Sequence, residues 1–302
     1  MQRAFLGVAL LLAPLVAVAG GDEFWSYSYR NVAVTAAGNS TYAVNLARYC
    51  VRLDGMLRQI LGIRTPEHPQ VHLYALPPEQ VRQFLGKGDW VSFRITPIGD
   101  IVVMNNSGGP DSDYWGAYYG YTSALLASDG RLRGPDWYRL GLPLVFASTK
   151  YHGDRAQLGT VRLKDALTLG QGSALIPMRR FLSLKRATIF DDEATRKVYD
   201  AEAWALAHEV FVEGWHRAEF AKYLELMRQG SDEPAAFGAS FNMTYEQLDK
   251  ELAYAIRQRP SVYTLHAPDP GGGGEAARPL TVEEVKAQLA GLAAELKGAT
   301  KP

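Results

Sequence analysis

Residues 117–147, AYYGYTSALLASDGRLRGPDWYRLGLPLVFA, restrict the fold more than any other stretch of the chain. The spacing predicts a helix over 113–127, and Pro135, at a first helical position, opens a second. Tyr114, Trp115, Tyr118, Tyr119 and Tyr121 place five aromatics within eight residues, more than one helical face buries. Two uses are open for them, core packing or the lining of a cleft.

The letters Tyr119-Gly120-Tyr121-Thr122-Ser123-Ala124-Leu125-Leu126 and Pro135-Asp136-Trp137-Tyr138-Arg139-Leu140-Gly141-Leu142-Pro143 resemble the two central helices of the gluzincins. These are the thermolysin-like zinc peptidases of the peptidase-MA-like group. In that family H-E-x-x-H on the first helix supplies two zinc-binding His and a Glu that activates water. W-x-x-E-G on the second supplies the third ligand. The frame is kept at Tyr121, Thr122, Leu125, Leu126, Trp137, Gly141 and Leu142. The chemistry is replaced: Tyr119 and Ser123 stand at the His positions, Gly120 at the catalytic Glu and Leu140 at the ligand Glu. Gly and Leu bind no zinc, and an unpaired Tyr or Ser hydroxyl binds it poorly. The residues thus supply no metal site, and no other cofactor is indicated.

The resemblance extends outward. The segments 177–182, 199–208 (YDAEAWALAH), 220–241 and 244–254 are similar in order and spacing to later helices of the family. It implies a degenerate member with a small N-terminal sheet leading into a mainly helical, zincin-like domain, and a cleft between the two. It also implies that Tyr118, Tyr121, Trp137, Tyr199 and Trp204 are candidate cleft-lining residues, although core packing is an equal or better use for each. The function implied is a non-catalytic, exported pseudopeptidase that holds a peptide or protein ligand in the former active-site cleft. The alternative is a hydrolase or metallopeptidase with non-standard catalytic residues, and a purely structural envelope protein is a third reading.

The order of elements predicts an α+β chain, a small sheet backed by one long helix and then helices. Residues 24–35 read as a strand, 41–61 as a helix capped by Asn39 or Ser40 and stopped by Gly62, and 71–75 as a strand. Pro77-Pro78-Glu79 opens a brief helix to Leu85, and a hairpin turns at Pro97-Ile98-Gly99-Asp100. Residues 155–183 read as irregular. Asp191 or Asp192 caps a long helix ended by Gly214, and Thr244 with Gln247 forms a capping box. The organisation expected is a signal peptide at 1–19, an α/β subdomain at 20–104, a helical domain at 105–258, a flexible Pro/Gly linker at 259–279 and a loosely attached amphipathic helix at 280–302. The stripe of that last helix is Val285, Leu289, Leu292 and Leu296.

Arg3, the apolar run 4–16 and Ala17-Val18-Ala19 form a signal-peptide pattern with cleavage before Gly20. The expectation is export to the periplasm or beyond, without stable membrane insertion after cleavage; an uncleaved anchor is the other reading. Lys plus Arg and Asp plus Glu are equal at 32 each, so no net field recruits nucleic acid. Cys50 is the sole cysteine, excluding an internal disulfide and reading as a buried thiol. His208-Glu209 opens HEVFVEGWH, but Val212 occupies the position of a second ligand and His216 is about two turns away, so His208 reads as a packed structural His. A glycine at 120 inside an exposed helix would cost about 1 kcal/mol against alanine, which suggests a close approach to the backbone there by a ligand or the neighbouring helix.

Overall fold

The computed structural model describes residues 23–63, 70–77, 80, 92–96, 99–105, 114–128, 134–160, 168–169, 174–258, 261–269 and 271–298. The signal segment expected at 1–19 and most of the brief helix expected after Pro77 lie outside them.

The N-terminal run expected as one strand is a hairpin. β1 (Phe24–Tyr29) and β2 (Val32–Ala37) pair antiparallel around Arg30-Asn31, with Arg30 at φ 53 in the left-handed region. α1 (Ser40–Leu61) follows, capped by the Asn39 side chain accepting from Tyr42 N and closed by Gly62 at φ 65. β3 (Val71–Leu76) pairs parallel with β2, and β5 (Gly99–Asn105) pairs parallel with β3. β4 (Ser92–Thr96) completes the expected hairpin with β5 and ends the sheet.

At β2 and β3, nearly continuous apolar runs, the sheet is buried on both faces. Val32, Val34, Ala36, Leu73 and Ala75 pack with Leu46, Leu53 and Leu57 of α1. On the opposite face, Phe24, Ala37, Tyr74 and Leu76 pack under the C-terminal helix. That helix, α9 (Val282–Gly298), follows β9 (Arg278–Leu280), which pairs antiparallel with β1. Val285, Leu289 and Leu292 are buried there, and Thr35 Oγ1 lies 3.0 Å from Gln288 Oε1.

The expected linker and loose tail are therefore corrected: the tail completes the sheet. The glycine tract lies close against the sheet. Tyr29 hydroxyl donates to Gly271 O, and a Cβ on Gly274 would stand 1.9 Å from the Tyr27 hydroxyl oxygen. Compact contact, not flexibility, accounts for Gly274. β8 (Tyr263–His266) lies within the same stretch and joins β6 (Lys150–His152) and β7 (Arg155–Leu158) in a second, three-stranded sheet where irregular chain was expected.

The helices occupy the middle of the chain: α2 (Trp115–Ser128), α3 (Asp136–Ala147), α4 (Met178–Ser183), α5 (Glu193–His208), α6 (Arg217–Arg228), α7 (Glu233–Ser240) and α8 (Tyr245–Arg257). A 3₁₀ turn (Arg186–Ile189) precedes α5 and a π turn (Glu209–Glu213) extends it to Gly214. Both expected caps form: Asp192 accepts from Thr195 N, and Thr244 with Gln247 makes the capping box. The expected α+β class holds, with a helix-backed N-terminal sheet followed by helices. Among the described residues no helix is long and apolar enough to cross a membrane.

Candidate functional site

α2 is apolar on nearly every side, so it sits between the sheet and α3 with almost its whole circumference covered. α3 packs in turn on α5, and Gly141 allows the close approach. A Cβ there would stand 2.1 Å from Ala203 O and 2.9 Å from Ala207 Cβ. Any side chain at 141 would push the helices apart, which gives this motif glycine a packing reason.

Where α2 and α3 diverge, a pocket of about 210 Å³ opens, lined in part by Tyr119, Ser123, Asp136, Arg139, Leu140 and Arg186. Tyr119 and Ser123, one turn apart, share a face of α2, and Leu140 faces them from α3. Three of the four positions singled out by the expected resemblance thus meet in one place. The fourth does not: Gly120 is buried, on the stripe of Ala117 and Ala124. It stands inside a covered helix, so an exposed-helix penalty does not apply.

Ser123 Oγ donates to Tyr119 O at 2.8 Å, the usual way a helical serine satisfies itself. The Tyr119 ring stacks on Trp115 at 5.2 Å, and burial raises its hydroxyl above the ordinary value against the opposing pull of Arg186. Arg186 forks onto Asp200, with Nε–Oδ1 and Nη2–Oδ2 both 2.9 Å. Its backbone N–H donates to Asp136 Oδ2 at 2.9 Å, while Arg139 Nη1 stays 3.9 Å from Asp136 Oδ1. The pocket wall is therefore apolar and hydroxylic below, with a nearly balanced Asp–Arg rim. Among the described residues its lining contains no imidazole, thiol or amine. Among the described residues no group of three or more His, Cys, Asp or Glu is placed to hold a metal ion.

The five candidate cleft-lining aromatics are corrected to core. Tyr118 and Tyr121 are buried, about 100° and 200° around α2 from Tyr119. Tyr118 meets Tyr114 and Tyr151, and Tyr121 hydroxyl accepts from Asn31 Nδ2 at 3.4 Å. Trp137 has no exposure and meets Phe220 edge-on at 5.7 Å. Tyr199 packs on Phe181 and donates to Leu184 O at 3.2 Å. Trp204 stacks on His208, whose Nε2 lies 3.0 Å from Ser261 O. His208 is the packed structural residue expected of it, and His216 lies beyond the π turn with φ 45. Cys50 is fully buried and its thiol is pushed up by desolvation.

Sequence reasoning missed Asp136, Arg139, Arg186 and Asp200. Asp136 and Arg139, three apart in the first turn of α3, carried a readable pair signal; Arg186 and Asp200 carried none. No protein-family model matches the chain, and no curated protein matches it.

Proposed function

We propose that the chain is an exported, non-catalytic relative of the gluzincins, a pseudopeptidase that binds an extended peptide or protein segment at the opening between α2 and α3. The observation that carries this reading is the meeting of Tyr119, Ser123 and Leu140 in one pocket. They occupy the three ligand positions of the resemblance, and Leu140 is remote in sequence from the other two. Where the family holds zinc and water, this chain presents a phenol, a serine already bonded to its own helix and a leucine. Such a lining favours apolar contact and stacking over polarising a carbonyl.

At about 210 Å³ the pocket is below the several hundred Å³ of sites that enclose a whole small ligand. It suits one side chain of a longer polymer. β4, the edge of the large sheet, packs against α2, and an edge strand offers backbone groups to an extended segment.

The test uses fluorescein-labelled casein fragments with the full chain. Anisotropy should rise without cleavage, and zinc after equilibration and dialysis should stay far below one equivalent. Ser123→Phe, which fills the pocket, should weaken retention about tenfold with little change in melting temperature. Chelator-sensitive cleavage, stoichiometric zinc or unchanged retention in Ser123→Phe would overturn the reading.

A further inference from the structure

A second cavity, of about 530 Å³, opens where the π turn meets α8 and the chain entering β8. Glu209 and Glu213 reach it from the π turn, Trp215 from just beyond, and Lys250, Glu251 and Tyr254 from α8. Trp215 Nε1 donates to Glu251 Oε2 at 3.1 Å, and His216 Nε2 lies 2.8 Å from the same oxygen. Ser261 N donates to Glu213 Oε1 at 3.2 Å, and His208 Nδ1 lies 3.4 Å from Glu209 Oε1. Among the described residues, no lysine or arginine forms an ion pair with any of these three carboxylates. Among the described lining residues, Lys250 is the one that brings an ammonium to the wall, one against three carboxylates.

The second feature is apolar. Tyr254 is 66% exposed, and Val262 and Tyr263, immediately after the lining residue Ser261, are 48% and 52% exposed. These are three of the five exposed large hydrophobics among the described residues; Tyr254 lines the acidic cavity, which already contains an indole, and the other two follow its lining residue Ser261 in the chain. An anion is repelled by such a wall. A neutral apolar ligand would strip water from the carboxylates without repaying it. The three carboxylates do not form a group placed to hold a metal ion. An organic cation on an aliphatic stem satisfies both halves at once, its stem against the rings and its charge among the carboxylates.

We propose that this cavity binds a lysine or arginine side chain of a partner polypeptide, with Glu209, Glu213 and Glu251 around the charged head and Trp215 and Tyr254 along the stem. The site is separate from the α2–α3 pocket and does not depend on how that pocket is read.

Calorimetric titration of the full chain with acetyl-Ala-Lys-Ala-amide tests it, beside the Nε-acetyl-lysine counterpart and free 1,5-diaminopentane. The lysine peptide should bind saturably and about tenfold tighter than its acetylated form, and weaken as salt rises. Glu213→Gln with Glu251→Gln should weaken it about tenfold, and Lys250→Gln should tighten it about threefold, a gain that misfolding cannot produce. No binding, equal binding of the acetylated peptide, or weakening by Lys250→Gln overturns the proposal. Saturation by the diamine without binding of the lysine peptide overturns the polypeptide source.

Discussion

Glu202 lies on α5 with no exposure; its Oε2 accepts from Ile176 N at 3.0 Å and its Oε1 has no hydrogen-bond partner among the described residues. Burial pushes its carboxyl up to about 8, opposed by the Ile176 N–H and helped by the Asp249 carboxylate. Below the ordinary carboxylate range both the folded and unfolded chains hold the proton. Above it the unfolded chain releases the proton while the native one keeps it, so stability falls as pH rises towards 8. Between pH 5 and 8 the loss from this group is on the order of 3 kcal/mol. Glu202→Gln keeps an acceptor for Ile176 N–H and should flatten that decline in urea melts at pH 5, 6.5 and 8. Parallel curves for the two proteins would show that Glu202 ionises freely in the native state. At this scale the shared face of Tyr119 and Ser123 was legible because the two stand one helical turn apart. The Arg186–Asp200 fork was not, since it forms between segments with no shared periodicity. The aromatic run was legible only as an excess, because neighbours such as Tyr118 and Tyr119 separate into core and pocket by a 100° rotation.

Elements with strong ends were readable: Asn39 and Gly62 bracket α1, Thr244 and Gln247 open α8, and Thr281 with Glu284 opens α9 through two reciprocal bonds. What the ends do not specify is docking. Four glycines in sequence read as a hinge, yet at its two ends the tract is held, Gly271 O accepting from Tyr29 and Gly274 lying against Tyr27. The counter-signal lay elsewhere: β2 and β3 are apolar at successive positions, so both faces of their sheet needed a cover and α1 could provide one. The second sheet was missed because its strands have only three or four residues, although Gly153 at φ 59 marks its tight turn. Leu289 has no exposure and tests the docking of α9. Leu289→Ala should cost about 3 kcal/mol in urea unfolding, whereas a helix tethered only by a linker would lose under about 0.5 kcal/mol.

Across the whole molecule one apolar cluster runs from Tyr27 to Ala267, through both sheets and the helices between. Arg52 on α1 fastens the second sheet to it, donating to Gly153 O at 2.7 Å and Ala267 O at 3.0 Å while lying over the Tyr151 ring. The split into an α/β part and a helical part was legible as a sequence of elements, but not as a shared interior, because long-range burial leaves no local pattern. The shared interior predicts a single transition: circular dichroism and tryptophan fluorescence should give superimposable urea curves. Two resolved midpoints would mean that the halves unfold separately.

The pairing of β9 with β1 has a consequence for how the molecule comes into being. Thr35 and Gln288 are 253 positions apart, so a chain growing on the ribosome carries the outer edge of β1 bare until the distant β9 has emerged. During that interval the β9–α9 segment of a neighbouring copy fits the vacancy through the same backbone bonds and the same Leu289 contact. Crowded synthesis therefore sets closure within one chain in competition with exchange between chains, and the short reach from the glycine tract to β9 favours the chain's own β9.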